Sequence, residues 1–306
     1  MLRVGSREVD ITNADRVLFP DDGITKGDLV EYYLEIAPVM LPHARGRPLT
    51  VQRFPEGVGG EGFYQQRRPA HFPDWVPGVE VRRAERAAGT VEHAVCRDAA
   101  ALVYLANQGA ITLHGWLSRE DDLEHPDRMV FDLDPPDGDV EALLAGARAV
   151  RSLLDRLELP SFVMTTGSNG LHVVVPLQPV LPFDDVRRFA RAVADRLAES
   201  APDSLTTEAR INKRKGRLYL DVGRNAWGQT AVLPYAVRAK PTAPVATPLD
   251  WDELGRAGFS PRRYHLGNIL RRLAQKDDPW ERIDRHRTRL DRARRRLVDA
   301  APTTTP

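Results

Sequence analysis

Residues 128–222 switch between two hydrophobic rhythms in a fixed order. "DRMVFDLDP" is an apolar run of strand length, and "DVEALLAGARAVRSLLDRLEL" repeats its apolar residues at amphipathic-helix spacing. "SFVMTTGSNGLHVVVPL" reads as strand, turn, strand, with Ser-Asn-Gly supplying the turn. "FDDVRRFARAVADRLAESA" is a second strong helix, and "GRLYLDVGRN" a strand ending in an acid. The order strand–helix–hairpin–helix–strand demands a sheet whose one face is covered by two helices.

The flanks add smaller pieces. "REVDITNADRVLFPDDGITKGDLVEYYLEIAPVMLPHARG" opens as a strand and a loop, and Thr25 or Asp28 begins a helix that Pro38 and Pro42 are expected to break or end. "PLTVQRFP" and "ITLHGWLS" read as strands, "DAAALVYLANQGA" as a short helix, and "EGVGGEGFYQQRR" as a Gly-rich loop running into an aromatic pair. "PLDWDELGRAGFSPRRYHLGNILRRL" reads as a closing helical region. The expected class is α+β: an antiparallel or mixed sheet of the split βαβ, RRM-like kind backed by helices at about 126–240. An N-terminal α/β portion (about 1–125) and a C-terminal helical region (about 250–298) complete a single domain, 1–300. The tail 299–306 is expected to be disordered.

Net charge is +1, so the balance of charge selects no partner. The distribution says more: arginines cluster in "QRRP", "NKRKGR" and "RIDRHRTRLDRARRRL". Arginine suits bidentate phosphate contact, although solvated helix faces account for such clusters equally well. For 282–297, packing on the core with a solvated face is the favoured reading. The single cysteine, Cys96, excludes an intramolecular disulfide framework and a Cys-based zinc cluster, and the reducing cytosol is the expected compartment. The N-terminus lacks an apolar h-region and no apolar run approaches ~18 residues, so neither a signal peptide nor a membrane span is expected.

The acids carry the chemistry. Asp132 and Asp134 stand two apart in "VFDLDPPDG"; on a strand they share a face, and they repel unless a cation lies between them. Asp221, in "LYLDVG", ends a second apolar strand of the same sheet. Three carboxylates at one sheet edge make an all-oxygen site of the kind Mg²⁺ or Mn²⁺ occupies. Two such ions hold a nucleoside triphosphate and activate a primer 3′-hydroxyl. Asp before Pro is also ordinary turn chemistry; the third acid favours the metal reading. "TGSNGLH", 166–172, offers N–H groups and a hydroxyl to phosphate oxygens, and equally an ordinary hairpin turn followed by a satisfied histidine.

Together, Asp132-x-Asp134, Ser168-x-Gly-x-His172 and the lone Asp221 match, in order and spacing, the three motifs of the archaeo-eukaryotic primase superfamily. More narrowly, the chain resembles the polymerase domain of bacterial non-homologous end-joining ligase D. "NADRVLFP", "ITKGDLVEYY", "GFYQQR", "VFDLDP", "GSNGLH" and "LYLDVGRNAWGQTAVLPYAVRA" carry a resemblance that runs from "ITNADRVLFP" to "NILRRL". It implies a template-directed nucleotidyltransferase, with a taste for ribonucleotides and Mn²⁺, that adds NTP or dNTP units to primer 3′ ends at short gaps or double-strand breaks during DNA repair.

On that resemblance Asp132, Asp134 and Asp221 would be catalytic and would hold Mn²⁺ or Mg²⁺ in a two-metal site. Thr166, Ser168 and His172 would contact the nucleotide, His114 its sugar and triphosphate, and Arg214 and Arg238 its phosphates, with Arg53 lining the same cleft. Arg16 and Lys26 would hold the 5′-phosphate of gapped or broken DNA, and Phe63 and Tyr64 would stack on the template base. Base stacking suits aromatics in so polar a loop better than a buried core pair does, and a phosphate partner accounts for Lys26 better than a solvated helix start, where the helix dipole gives a cation nothing.

The chain departs from the family at Arg16 and Asn169, where lysine is common; Arg224, close to Asp221, is the candidate to replace the cation lost at Asn169. No Lys-x-Asp-Gly ligase motif is present, so Ku and a separate DNA ligase are the further partners the family suggests, near the nucleoid. Two alternatives remain open. One is a non-catalytic DNA-end-binding module. The other is a haloacid-dehalogenase-like phosphatase, which requires a parallel sheet and is disfavoured by Pro135, Pro136 and the hairpin.

Overall fold

The computed structural model of the chain describes residues 1–83 and 89–299. The tail expected to be disordered lies outside the described residues, apart from Asp299 at the end of a helix.

Six strands form the central sheet, in the order Leu205–Thr206, Leu218–Asp221, Arg128–Asp134, Leu171–Pro176, Phe162–Thr165, Pro248–Leu249. Every pairing is antiparallel except the first. The strand Arg128–Asp134 therefore has antiparallel neighbours on both sides, which is incompatible with a parallel phosphatase sheet. Its residues alternate as a half-polar strand must. Met129, Phe131 and Leu133 join one core with the apolar stripes of the helices Val140–Arg156 and Phe183–Ser200. Val130 faces the other way into a second core, and Asp132 and Asp134 share its face by period.

That second core lies between the central sheet and a four-stranded antiparallel sheet, Thr230–Val232, Ala110–Trp116, Leu49–Arg53, Phe63–Gln65. The helices Lys26–Ala44 and Ala99–Asn107 contribute to the same core. Thr25 starts the first of these with a reciprocal cap: its hydroxyl accepts from the Asp28 N–H (3.1 Å) and the Asp28 carboxylate accepts from the Thr25 N–H (2.7 Å).

Two local expectations are corrected. Pro38 and Pro42 neither break nor end their helix, which runs through both to Ala44. Both sit on its exposed side, where water can replace a lost backbone bond, while Tyr32, Tyr33, Ile36 and Met40 keep the opposite side buried. The closing region is not a run of helix: among the described residues it holds the short helix Ile269–Leu273, single turns at Trp251–Gly255 and Ile283–His286, and the helix Asp291–Asp299. Leu290, Ala293 and Leu297 bury the last of these against the central core, and its arginines form a solvated face.

Ion pairs, not helix, hold the preceding segment. Asp127 accepts from Arg47 (2.9 Å), Arg119 (2.9 Å) and Arg287 (3.1 Å), which bind the end of the N-terminal helix and the C-terminal segment to the base of the strand Arg128–Asp134. Although Asp127 is buried, Arg47, Arg128 and Arg119 hold its carboxyl well below the usual range.

Candidate active site

Three adjacent strands assemble the site. Asp132 is paired with Asp221 on one side and with His172 on the other. Directly opposed residues share a face, so the three side chains stand in a row on the face away from the two helices. Asp134 joins them two residues along. Each of the three acids offers an oxygen within 4.8 Å of the others.

Their environments differ. Asp132 is buried, which alone would raise its pKa. His172 (Nε2 3.4 Å from Oδ1) and Arg224 (Nε 3.2 Å from Oδ2) outweigh burial and hold it at about 2. Asp134 is pushed up to about 6, first by burial and then by the charges of Asp132 and Asp221. Asp221 is fixed by the Gly223 N–H (2.7 Å) and the Tyr219 hydroxyl (3.2 Å). An all-oxygen set in which burial and mutual repulsion raise one member's pKa fits a divalent cation, which would relieve that repulsion.

The acids open into a cleft of about 500 Å³. One wall is the turn between Phe162–Thr165 and Leu171–Pro176, with Thr166, Ser168 and Asn169. Close approach shapes this wall: a Cβ on Gly170 would stand 2.4 Å from the Leu133 carbonyl oxygen. The opposite wall carries His114 and Tyr64, whose rings are 5.7 Å apart. His114 is buried and its Nδ1 has no hydrogen-bond partner. Burial, then Arg238, Arg224 and His172, push its pKa down to about 3, so it is neutral at physiological pH. Arg214 lies 4.0 Å over the Tyr219 ring and Arg238 donates to the Thr166 carbonyl (3.1 Å); both line the cleft without a carboxylate partner among the described residues.

Lys26 lines a second cavity, of about 170 Å³, together with Arg16. Lys26 is not a solvated helix start: it is 6% exposed, and its Nζ donates to Thr12 Oγ1 and the Asn107 carbonyl, both at 3.2 Å. Arg53 is found here and not in the first cleft. The pairing register shifts between Gln52 and Arg53, and such an irregularity re-aims a side chain; Gln65 Oε1 then accepts from its Nη1 at 2.8 Å. Phe63 and Tyr64 are 45% and 61% exposed, so they are not a core pair.

Other partners had no sequence signal. Arg224, the candidate to replace the cation lost at Asn169, lines the same cleft and is ion-paired with Asp132. The guanidinium that does reach Asn169 is that of Arg262, 93 residues away, at 2.6 Å from Oδ1. Asn225, buried, donates to the Val130 carbonyl (2.7 Å) and accepts from the Val130 N–H (2.8 Å), completing the strand where its neighbour stops short.

The sequence pattern of the LigD primase-polymerase domain matches residues 25–280. The chain belongs to that family. It is 35% identical over 311 residues to the multifunctional non-homologous end joining DNA repair protein LigD of Mycobacterium tuberculosis (strain H37Rv), with 98% of this chain and 40% of the relative covered. It is 30% identical over 276 residues to the bifunctional non-homologous end joining protein LigD of Bacillus subtilis (strain 168), covering 89% of this chain and 44% of that protein. The chain thus spans about two-fifths of the length of these relatives. Among solved structures it is similar to the polymerase domain of Mycobacterium tuberculosis Ligase D in complex with DNA, with a TM-score of 0.85, 33% identity, and coverage of 92% of this chain and 99% of that one. The mixed sheet backed by helices is the LigD polymerase-domain fold, and no helix among the described residues is long and apolar enough to cross a membrane.

Proposed function

We propose that this LigD primase-polymerase family member acts as one domain, over about 1–300, that adds nucleotides to a primer 3′ end opposite a DNA template, at short gaps or broken ends. The observation that carries this reading is the clustered set Asp132, Asp134 and Asp221, the first two lining a cleft in which Arg214 and Arg238 have no carboxylate partner among the described residues. Acids facing DNA phosphate cost affinity unless cations neutralise them, so a purely DNA-binding surface gives no account of them.

Held by these carboxylates, a pair of Mn²⁺ or Mg²⁺ ions would lower the pKa of the primer 3′-hydroxyl and take up charge on departing pyrophosphate. Arg224 and His172 keep Asp132 ionised. Arg214 and Arg238 present guanidinium forks to the triphosphate, and the Thr166–Ser168 turn lends N–H and hydroxyl groups beside them. Neutral His114 offers Nδ1 to the nucleotide. Exposed Phe63 and Tyr64 stack on the template base, and Lys26 with Arg16 takes the downstream 5′-phosphate; Arg53 borders that same cavity. The end-joining relatives make Ku and a DNA ligase the fitting partners.

The test is single-nucleotide incorporation on a 5′-phosphorylated one-nucleotide gap with Mn²⁺. Asp221→Ala is expected to lower the rate by more than about 100-fold while still shifting the DNA on a gel. A wild-type protein that shifts the DNA and adds nothing would establish the end-binding module instead.

A further inference from the structure

The strands Thr230–Val232 and Phe63–Gln65 border the catalytic cleft, and the residues just before the first and just after the second border a different cavity. Tyr64, Thr230 and Val232 line the cleft; Gln66, Gly228 and Gln229 line a pocket of about 440 Å³. Its walls are aromatic. Trp116 and Trp227 meet edge to face, with centroids 5.0 Å apart and planes at 90°, and Phe183 braces Trp227 from 5.6 Å. Arg82 lies 5.4 Å over the Trp227 ring and accepts the indole N–H on its carbonyl (2.9 Å), so that indole is fixed in place.

Buried polar groups stand in the rings of its wall. Trp116 is 2% exposed and its Nε1–H has no partner; a buried donor left unpaired is costly unless a ligand completes it. The His93 ring lies 5.9 Å from Trp116 and its Nδ1 donates to the Leu49 carbonyl (3.0 Å). Burial keeps this histidine neutral, so Nε2 remains an acceptor. Gln66, Gln229, Arg82 and Arg83 add amide and cationic groups, and among the described residues no lining side chain is a carboxylate.

Gln66 stands two residues beyond Tyr64, about 7 Å along an extended chain and about two steps of stacked bases at ~3.4 Å each. We propose that this pocket takes one unpaired nucleobase of the DNA strand that passes Tyr64, inserted against Trp227. The proposal rests on the reading that the cleft binds DNA, and it gives the protein a second grip on single-stranded template, separate from the stacking pair.

The test uses 5′-phosphorylated gapped DNA carrying 2-aminopurine at the templating position and, in turn, at each of the two unpaired positions on either side. The wild-type protein is expected to quench the probe at one position beyond the templating base, and Trp227→Ala to abolish that quench. An abasic nucleotide at that position should weaken wild-type binding about fivefold or more, the fold-change for the low end of base–aromatic stacking, and leave Trp227→Ala binding unchanged. Because Trp227 also packs on Trp116 and Phe183, Gln229→Glu provides a second variant that leaves the rings intact and sets a carboxylate at an exposed edge of the pocket; it too should erase the difference between base and abasic DNA.

The proposal is overturned by a wild-type protein that binds base and abasic DNA alike, by quenching that persists in both variants, or by free dAMP competing as well as the oligonucleotide. Incorporation is read in the same samples. Intact incorporation without position-specific quenching sinks the pocket alone, and quenching without incorporation sinks the polymerase reading alone.

Discussion

Removing one negative charge from the acid cluster should stabilise the metal-free protein. In the folded chain the Asp134 carboxyl is pushed from 3.8 up to about 6 by burial, Asp132 and Asp221. A folded pKa above the unfolded one means that the contribution to stability is fully present below about pH 4 and is lost as pH rises through about 6. Two decades of proton affinity set a ceiling of about 3 kcal/mol, which solvent screening at this half-buried group reduces to about 1–2 kcal/mol. Asp134→Asn carries no charge at any pH and escapes that cost. At pH 7.5 in chelator its Tm is expected to exceed the wild-type value by roughly 1.5–3 °C, with the gap closing by pH 4. Saturating Mn²⁺ should narrow or reverse the gap, because the folded wild type gains binding energy that the variant gains less of. Thermal melts at three pH values, with and without metal, decide the matter. An Asn variant less stable than wild type at pH 7.5 in chelator would refute the claim that these carboxylates repel one another.

Three further outcomes follow from the geometry. Gly170→Ala puts a methyl 2.4 Å from the Leu133 carbonyl oxygen, about 0.9 Å inside ordinary contact; incorporation should fall about 100-fold with the fold retained by circular dichroism, and an unchanged rate would show that the turn gives way without moving Asp134. Lys26→Ala should remove the preference for a 5′-phosphate while basal primer extension persists, read from matched substrates with and without that phosphate. Asn225→Ala strands the Val130 N–H and carbonyl and should cost about 2–4 kcal/mol in urea unfolding.

The parts of the molecule legible in the sequence are those set by short periods. The two-residue alternation of "VFDLDP" places Asp132 with Asp134, and helical stripes declare the two helices that cover the sheet, so these are written locally, whereas Asp221 joins the pair through strand pairing. Lys26 is buried because Asn107, 81 positions away, receives its ammonium, and no local rhythm announces that. Arg53 leaves the cleft at a break in pairing register, which composition does not mark. Residues 274–290 have charge without period; what orders the stretch around Arg287 is its bond to Asp127, 160 positions upstream. Pro38 and Pro42 mislead because the rule against them is local, whereas the buried face of Tyr32, Tyr33 and Met40 that holds the helix together is tertiary.

The alignment of Asp221, Asp132 and His172 across three neighbouring strands bears on how this protein fails. Slipping the central strand by one place would thrust both of its aspartates under the helices and turn Phe131 and Leu133 outward. No half-built centre lies close to the native one. Damage to the sheet should therefore reduce the number of working molecules in a preparation and leave each survivor at full speed, a difference that active-site titration separates from ordinary slowing.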